Sequence, residues 1–315
     1  MVVLRIAKIN RIHPGEISEG APVPNTPQSS LRGYFLIFGA ALLWGLLGPV
    51  SRYLFAAGVS PIEAGFFRAL ITWILFGIHA TAKRQVMADK KDLPILFAFG
   101  FVGISLFYAA NMMAIDKGGA ALASVLLYTA PFWVALFSYF LFGERMTLIK
   151  GIAMVLAVAG VWGICLDGGP MAGESIGTAV LWGLTAGICY SLYYIIGKKF
   201  SGTYAPYTLF FWILPTGILG LLPFVEFTTK TPMNWFHLLL LAFFSYSANS
   251  LYYLGLRYLA PTRAVLTATL EPVVATFFAW LLWNETLGLL GYGGSVLILT
   301  GVLLTILAPQ EQAKG

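Results

Sequence analysis

Residues 130–144 read APFWVALFSYFLFGE, and residues 271–285 read EPVVATFFAWLLWNE. A shift of 141 residues lays one on the other: Pro131 on Pro272, Glu144 on Glu285 and, further along, Gly160-Val161 on Gly301-Val302. Each stretch is an apolar run long enough for several helical turns, with a proline near its start and a carboxylate at its end. Outward from these runs, Ser51-Arg52 falls on Gly197-Lys198 at a similar shift, so the second half of the chain echoes the first.

The rest of the chain has the same character. Of its 315 residues 59% are hydrophobic and 10% are charged, against about 25% charged in an ordinary soluble domain. Mean hydropathy is +0.82. There is too little polar surface to cover a soluble core of this size, which excludes a soluble enzyme. The even spread of apolar residues excludes disorder and a collagen-like fold. The solvent of most of this protein is lipid. A helix needs about 20 mostly apolar residues to cross the hydrocarbon. Ten windows qualify: Gly33–Phe55, Pro61–Thr81, Leu93–Ile115, Ala120–Phe142, Thr147–Leu166, Ser175–Gly197, Pro206–Val225, Trp235–Leu256, Ala264–Trp283 and Leu287–Leu307. The joints are short, as at Ala57–Ser60, Asp116–Gly119 and Asp167–Pro170, and short joints force antiparallel neighbours.

Orientation follows from the basic residues. Arg5, Lys8, Arg11, Arg32, Lys83, Arg84, Lys90, Lys91, Arg145, Lys150, Lys198, Lys199, Arg257, Arg263 and Lys314 all fall on one side of an alternating ten-helix chain. Lys117 and Lys230 fall on the other, with Arg52 and Arg68 near or within spans. By the positive-inside bias both termini are expected in the cytoplasm of a bacterial inner membrane. The net charge of +6 is therefore read as topology and not as a nucleic-acid footprint. Five helices per repeat is an odd number, so the second copy sits upside down. The expected fold is an all-α membrane protein of ten transmembrane helices in two inverted five-helix repeats. Residues 1–31 are expected as a disordered cytoplasmic tail, 32–167 as the first repeat, 174–308 as the second and 309–315 as a second cytoplasmic tail. The proline-broken first 30 residues hold no apolar core of a cleavable signal peptide.

Taken together, Trp44-Gly45, Pro61 with Arg68, Pro131…Gly143-Glu144…Gly160 and Glu271-Pro272…Glu285…Gly301 resemble the EamA type of the drug/metabolite transporter superfamily over residues 33–307. The resemblance implies ten helices in two inverted repeats and export of small metabolites, with amino-acid exporters the nearest kind. Where the second half has Glu271 the first has Ala130, so the halves are not equivalent.

No Walker A sequence is present, and no metal-ligand or catalytic constellation stands out, so no cofactor, metal or enzymatic activity is expected. Cys165 and Cys189 read as small core residues. The expected function is a secondary transporter that exports amino acids or similar small metabolites by alternating access, driven by the substrate gradient or by proton exchange. The alternative is an exporter of cationic drugs or nucleotide sugars. The expected partners are a small-molecule substrate and the bilayer, with the oligomeric state open.

Charged groups at membrane depth are costly and mark function or internal pairing. Glu271, alone among apolar residues in helix nine, reads as a group for a substrate ammonium or a proton, or as a cap on backbone freed by Pro272. Arg68 reads as a structural or ion-pair residue that locks helix two, with Glu63 or Glu271 in reach, or else as a carboxylate ligand. On helix three Ser105, Tyr108, Asn111 and Met112 share one face by helical spacing. On helix eight Tyr246, Asn249 and Tyr253 do the same, and both faces are expected to line a shared cavity. Trp44 on helix one, with Tyr190 and Tyr194 on helix six, is expected at its walls. Pro131 and Pro272 are the expected hinges. His79 reads as an interface residue, and Gly183 and Gly187 as a close-packing pair.

Overall fold

The computed structural model describes residues 27–167, 176–284, 286 and 288–307. The terminal tails up to residue 26 and from 308, the joint at 168–175, Glu285 and Leu287 lie outside the described residues.

Among the described residues all regular structure is helical. Ten spans are long and apolar enough to cross a membrane: Ser30–Ala56, Pro61–Ala82, Leu93–Ile115, Leu122–Phe142, Leu148–Asp167, Gly177–Phe200, Pro206–Phe224, Pro232–Gly255, Pro261–Leu282 and Leu289–Leu307. They are numbered one to ten here. The first helix starts at Pro27, inside the stretch expected as tail, where a proline suits the opening turn of a helix. Helical structure also continues through Asp116–Gly119, the expected joint, within one helix Phe107–Leu127. No proline interrupts that stretch, and the alanines of Ala120–Ala123 are strong helix formers.

The two repeated stretches behave alike. Span four is helical to Leu127, turns at Tyr128-Thr129 and resumes as Ala130–Phe142 with Pro131 in its first turn. Span nine runs Pro261–Ala268, turns at Thr269-Leu270 and resumes as Glu271–Trp283 with Pro272 in its first turn. The cause is the same in both. A proline has no N–H for the carbonyl one turn back, so the helix breaks there. Hydroxyls satisfy backbone at both breaks: Thr129 donates to Leu126 O at 2.6 Å and Thr269 to Leu266 O at 2.5 Å. Span one breaks as well, between Pro27–Gly45 and Leu47–Ala56, because Pro49 cannot donate to Gly45. The eight residues of Pro261–Ala268 are all buried, enclosed by spans one, four, five, six and ten.

Spans five and ten pack most closely. A Cβ on Gly160 would meet Gly294 O at 2.4 Å, and one on Gly294 would meet Gly160 O at 2.3 Å. Only glycine permits that approach, the usual means of helix association where lipid removes the hydrophobic drive. Span six uses Gly183 and Gly187 in the same way against Leu126 and the carbonyls near it.

One face of the bundle gathers the span ends rich in lysine and arginine. It is closed by contacts both between and within the repeats. Glu144 at the end of span four accepts from Thr262 N at 3.4 Å and pairs with buried Lys150 at 3.3 Å. Lys198 donates to Leu256 O and Leu259 O at 2.6 and 2.8 Å. Tyr204, in the joint before span seven, donates to Asp92 at 2.6 Å; burial and that aspartate push its hydroxyl up to about 12. On the opposite face Glu63 is wholly buried. It accepts from Thr228 N and Thr228 Oγ1 at 2.8 Å each and holds the Lys230 ammonium.

Candidate functional site

A cavity of about 310 Å³ lies inside the bundle at mid-span depth. Eight spans contribute to it, the broken pair four and nine among them. Span one gives Trp44 and Leu47, span two Arg68, Ala69 and Thr72, and span three Gly103, Ile104, Phe107, Tyr108 and Asn111. Leu127 and Tyr128 come from span four, Tyr190 and Tyr193 from span six, and Leu214 from span seven. Ser245 and Asn249 come from span eight and Glu271 from span nine.

Local backbone explains the placements. Glu271 opens the half-helix Glu271–Trp283, so its carboxylate sits at the positive end of a helix dipole that terminates inside the membrane. Gly45 lets span one press against this point: a Cβ there would meet Glu271 O at 3.0 Å. The Tyr190 hydroxyl lies within hydrogen-bond reach of the carboxylate, and the Arg68 guanidinium and the hydroxyls of Tyr128, Tyr193 and Tyr194 are close enough to sense its charge. Arg68 stands over the Tyr108 ring, its guanidinium carbon 5.2 Å from the centroid. Among the described residues Arg68 makes no ion pair with Glu63, which Lys230 and Thr228 occupy.

Aromatic rings form the floor on the side of the basic face. Tyr193 stacks edge-on against Tyr253 at 5.3 Å and against Trp44 at 6.0 Å, and Phe210 meets Tyr253 at 4.8 Å. Tyr194, Tyr252, Tyr253 and Phe210 are among the largest fully buried side chains. The floor therefore separates the cavity from the basic face.

Of the residues singled out in the sequence, Trp44, Arg68, Tyr108, Asn111, Tyr190, Asn249 and Glu271 meet at one void. Five do not reach it: Met112 and Tyr194, the latter buried among the floor aromatics, and Ser105, Tyr246 and Tyr253. Ser105 lies within a π-helical segment, Phe101–Leu106, whose wider turn shifts the helical face. Its hydroxyl leaves the line of Tyr108 and Asn111 and donates to Gly217 O at 2.9 Å. Tyr246 turns outward from the cavity to His79 Nδ1 and the Phe76 ring. Tyr253 is buried within the floor and donates to Tyr193 O at 3.3 Å. On span eight the lining face is thus Ser245 and Asn249, one residue round from the expected one. Pro131 and Pro272 open the resumed halves of their spans and do not line this cavity.

Sequence reasoning missed Tyr193, Ser245, Phe107 and Tyr128. Ser245 was accessible to it, one helical turn before Asn249. Tyr193 was hidden among the three tyrosines of Tyr190–Tyr194. Span seven, on which no lining residue was expected, contributes Leu214. No set of three metal ligands assembles among the described residues.

A duplicated family now matches the duplicated structure: the EamA-like transporter family aligns with residues 31–166 and again with 177–307. The chain belongs to the EamA-like transporter family. It is a transmembrane transporter and not an enzyme. Similar proteins include an uncharacterized transporter of Archaeoglobus fulgidus, 27% identical over 82% of this chain and 92% of its own length. The inner membrane transporter YicL of Salmonella typhimurium is 23% identical over 91% of this chain and 99% of its own. The pseudopaline exporter CntI of Pseudomonas aeruginosa is 24% identical over 79% of this chain and 87% of its own. One solved crystal structure superposes with a TM-score of 0.75 at 19% identity, over 88% of this chain and 96% of that one, a likeness of fold.

Proposed function

We propose that this family member exports amino acids, or similar small metabolites that carry both an ammonium and a carboxylate, by alternating access through the central cavity. The observation that supports this reading is the pair of opposite charges in one void. Arg68 and Glu271 both line it without a direct ion pair between them, and each is flanked by a tyrosine ring or hydroxyl. A guanidinium suits a carboxylate, and a carboxylate amid Trp44, Tyr190 and Tyr193 suits an ammonium. A substrate with both ends would neutralise two intramembrane charges at once.

In this reading the breaks at Tyr128-Thr129 and Thr269-Leu270 are the hinges about which the repeats exchange conformations. The closed basic face is the cytoplasmic one, and both termini lie on that side of the inner membrane. Release of substrate on the far side follows when the floor at Tyr193 and Tyr253 is shut. Either proton exchange through Glu271 or the substrate gradient drives the cycle. The acidic, aromatic half of the cavity also favours organic cations as a second reading, against which the Arg68 charge stands. Nucleotide sugars carry phosphates, for which a single arginine is poor provision.

The test is uptake into liposomes carrying the purified full chain, from a panel of labelled amino acids, an organic cation and a nucleotide sugar. Amino-acid flux, lost in Glu271→Gln and weakened at least tenfold in Arg68→Ala, is expected. Flux of the cation alone, unaffected by Arg68→Ala, would replace this reading with the second.

A further inference from the structure

Hydroxyls inside these helices have a ready partner in the carbonyl one turn back. Ser250 donates to Tyr246 O at 2.8 Å, Thr267 to Arg263 O at 2.8 Å, Ser295 to Gly291 O at 2.9 Å and Thr305 to Gly301 O at 2.9 Å. Ser245 departs from this habit. It is 8% exposed, it lines the cavity, and its Oγ has no hydrogen-bond partner. A buried hydroxyl left unpaired is costly, so it calls for a group that is absent from the bare protein.

Asn249 lies one turn further along the same wall. Its Oδ1 already accepts from the Tyr193 hydroxyl at 2.6 Å. A primary amide offers one oxygen acceptor and two N–H donors, so what Asn249 keeps for the cavity is donors. Thr72, also on the wall, has spent its hydroxyl on Ala242 O at 3.2 Å. Span eight therefore presents two donors a helical turn apart, on a span that carries neither Arg68 nor Glu271.

We propose that Ser245 and Asn249 form a side-chain subsite, and that the transported amino acid carries a neutral hydrogen-bond acceptor there, a carboxamide. This rests on the reading of the cavity as a site for zwitterions. The charge balance selects the class. Arg68 and Glu271 are matched by the carboxylate and ammonium of the substrate, and a second carboxylate would be buried without a counter-charge. The carboxamide oxygen takes the Ser245 and Asn249 protons, and its own N–H group returns a bond to Ser245 Oγ. An apolar side chain of the same shape leaves all of these groups unpaired, the arrangement that discriminates most strongly between isosteres.

The experiment is competition for flux in liposomes holding the full chain, with glutamine against norleucine and glutamate, and asparagine against leucine and aspartate. Glutamine and asparagine are expected to compete at least tenfold better than their apolar and anionic counterparts. Ser245→Ala should cut that preference at least fivefold, by weakening competition by glutamine while competition by norleucine holds or strengthens, because the hydroxyl that an apolar side chain leaves unpaired is gone. Asn249→Asp replaces the donors by a carboxylate and should abolish the preference, so the outcome does not depend on one variant folding. Equal competition by glutamine and norleucine, or variants that weaken every amino acid alike, would overturn the subsite and leave the zwitterion reading standing. Absence of flux for every amino acid, with the cation still carried, would overturn both.

Discussion

Gly160→Ala is expected to loosen the contact of spans five and ten, and its size follows from the coordinates. The new methyl carbon would lie 2.4 Å from Gly294 O, 2.7 Å from Ile298 Cγ1 and 2.9 Å from Ile298 N. Ordinary contact begins at 3.4 Å, so the helices must part by about 1 Å. Two of the three obstacles are backbone atoms, which cannot rotate away as a side-chain tip could. A gap of 0.5–1 Å forfeits roughly a quarter to a half of each dispersion contact along the seam. Overpacking of this kind costs about 1–3 kcal/mol. Gly151 on the same span supplies the control, because a Cβ there meets nothing within 4 Å. Gly151→Ala should be neutral or stabilising by up to about 1 kcal/mol, the helix-propensity gain. Thermal unfolding of both variants in one detergent, followed by size-exclusion chromatography, reads the difference. Spans five and ten contribute nothing to the cavity wall, so KM for any substrate should not change. A Gly160→Ala protein that unfolds at or above the wild-type temperature, while Gly151→Ala does no better, would refute the close-packing account.

Lys230→Met removes the counter-charge of wholly buried Glu63 and should destabilise by about 3–5 kcal/mol in a thermal melt. The double variant Glu63→Gln with Lys230→Met should recover most of that loss. Tyr246→Phe should leave transport KM unchanged, because its hydroxyl goes to His79, whereas Asn249→Ala should raise KM. Pro272→Ala restores the missing N–H and straightens span nine; slower turnover with little change in KM, measured by uptake kinetics, is expected if the break is a hinge.

The architecture was legible because lipid imposes one rule on every span: each backbone group is satisfied within a helix, so length and hydropathy suffice to find the spans. The paired breaks were legible because proline acts on its own helix, whatever surrounds it. The cavity was read in part. Glu271, Arg68, Tyr108 and Asn249 betray themselves by polarity at membrane depth. Which side of a helix faces inward was harder. The π segment at Phe101–Leu106 turned Ser105 away, and no residue pattern announces such a segment beforehand. On span eight a step of one residue separates Ser245 from Tyr246. Both are polar, and only their neighbours decide which one meets the void: His79 on span two claims the tyrosine. Short repeats of tyrosine hide their members' roles for the same reason.

The inner half of span nine has a further consequence. At 1.5 Å per residue Pro261–Ala268 is about 12 Å long, less than half the hydrocarbon thickness, and none of its residues touches the bilayer. It is a bolt sheathed in protein on every side. Changes in acyl-chain length or membrane tension have no direct grip on it and can reach it only by displacing the cylinders around it. Rates of its withdrawal should therefore follow the fit of side chains against it far more than the choice of lipid.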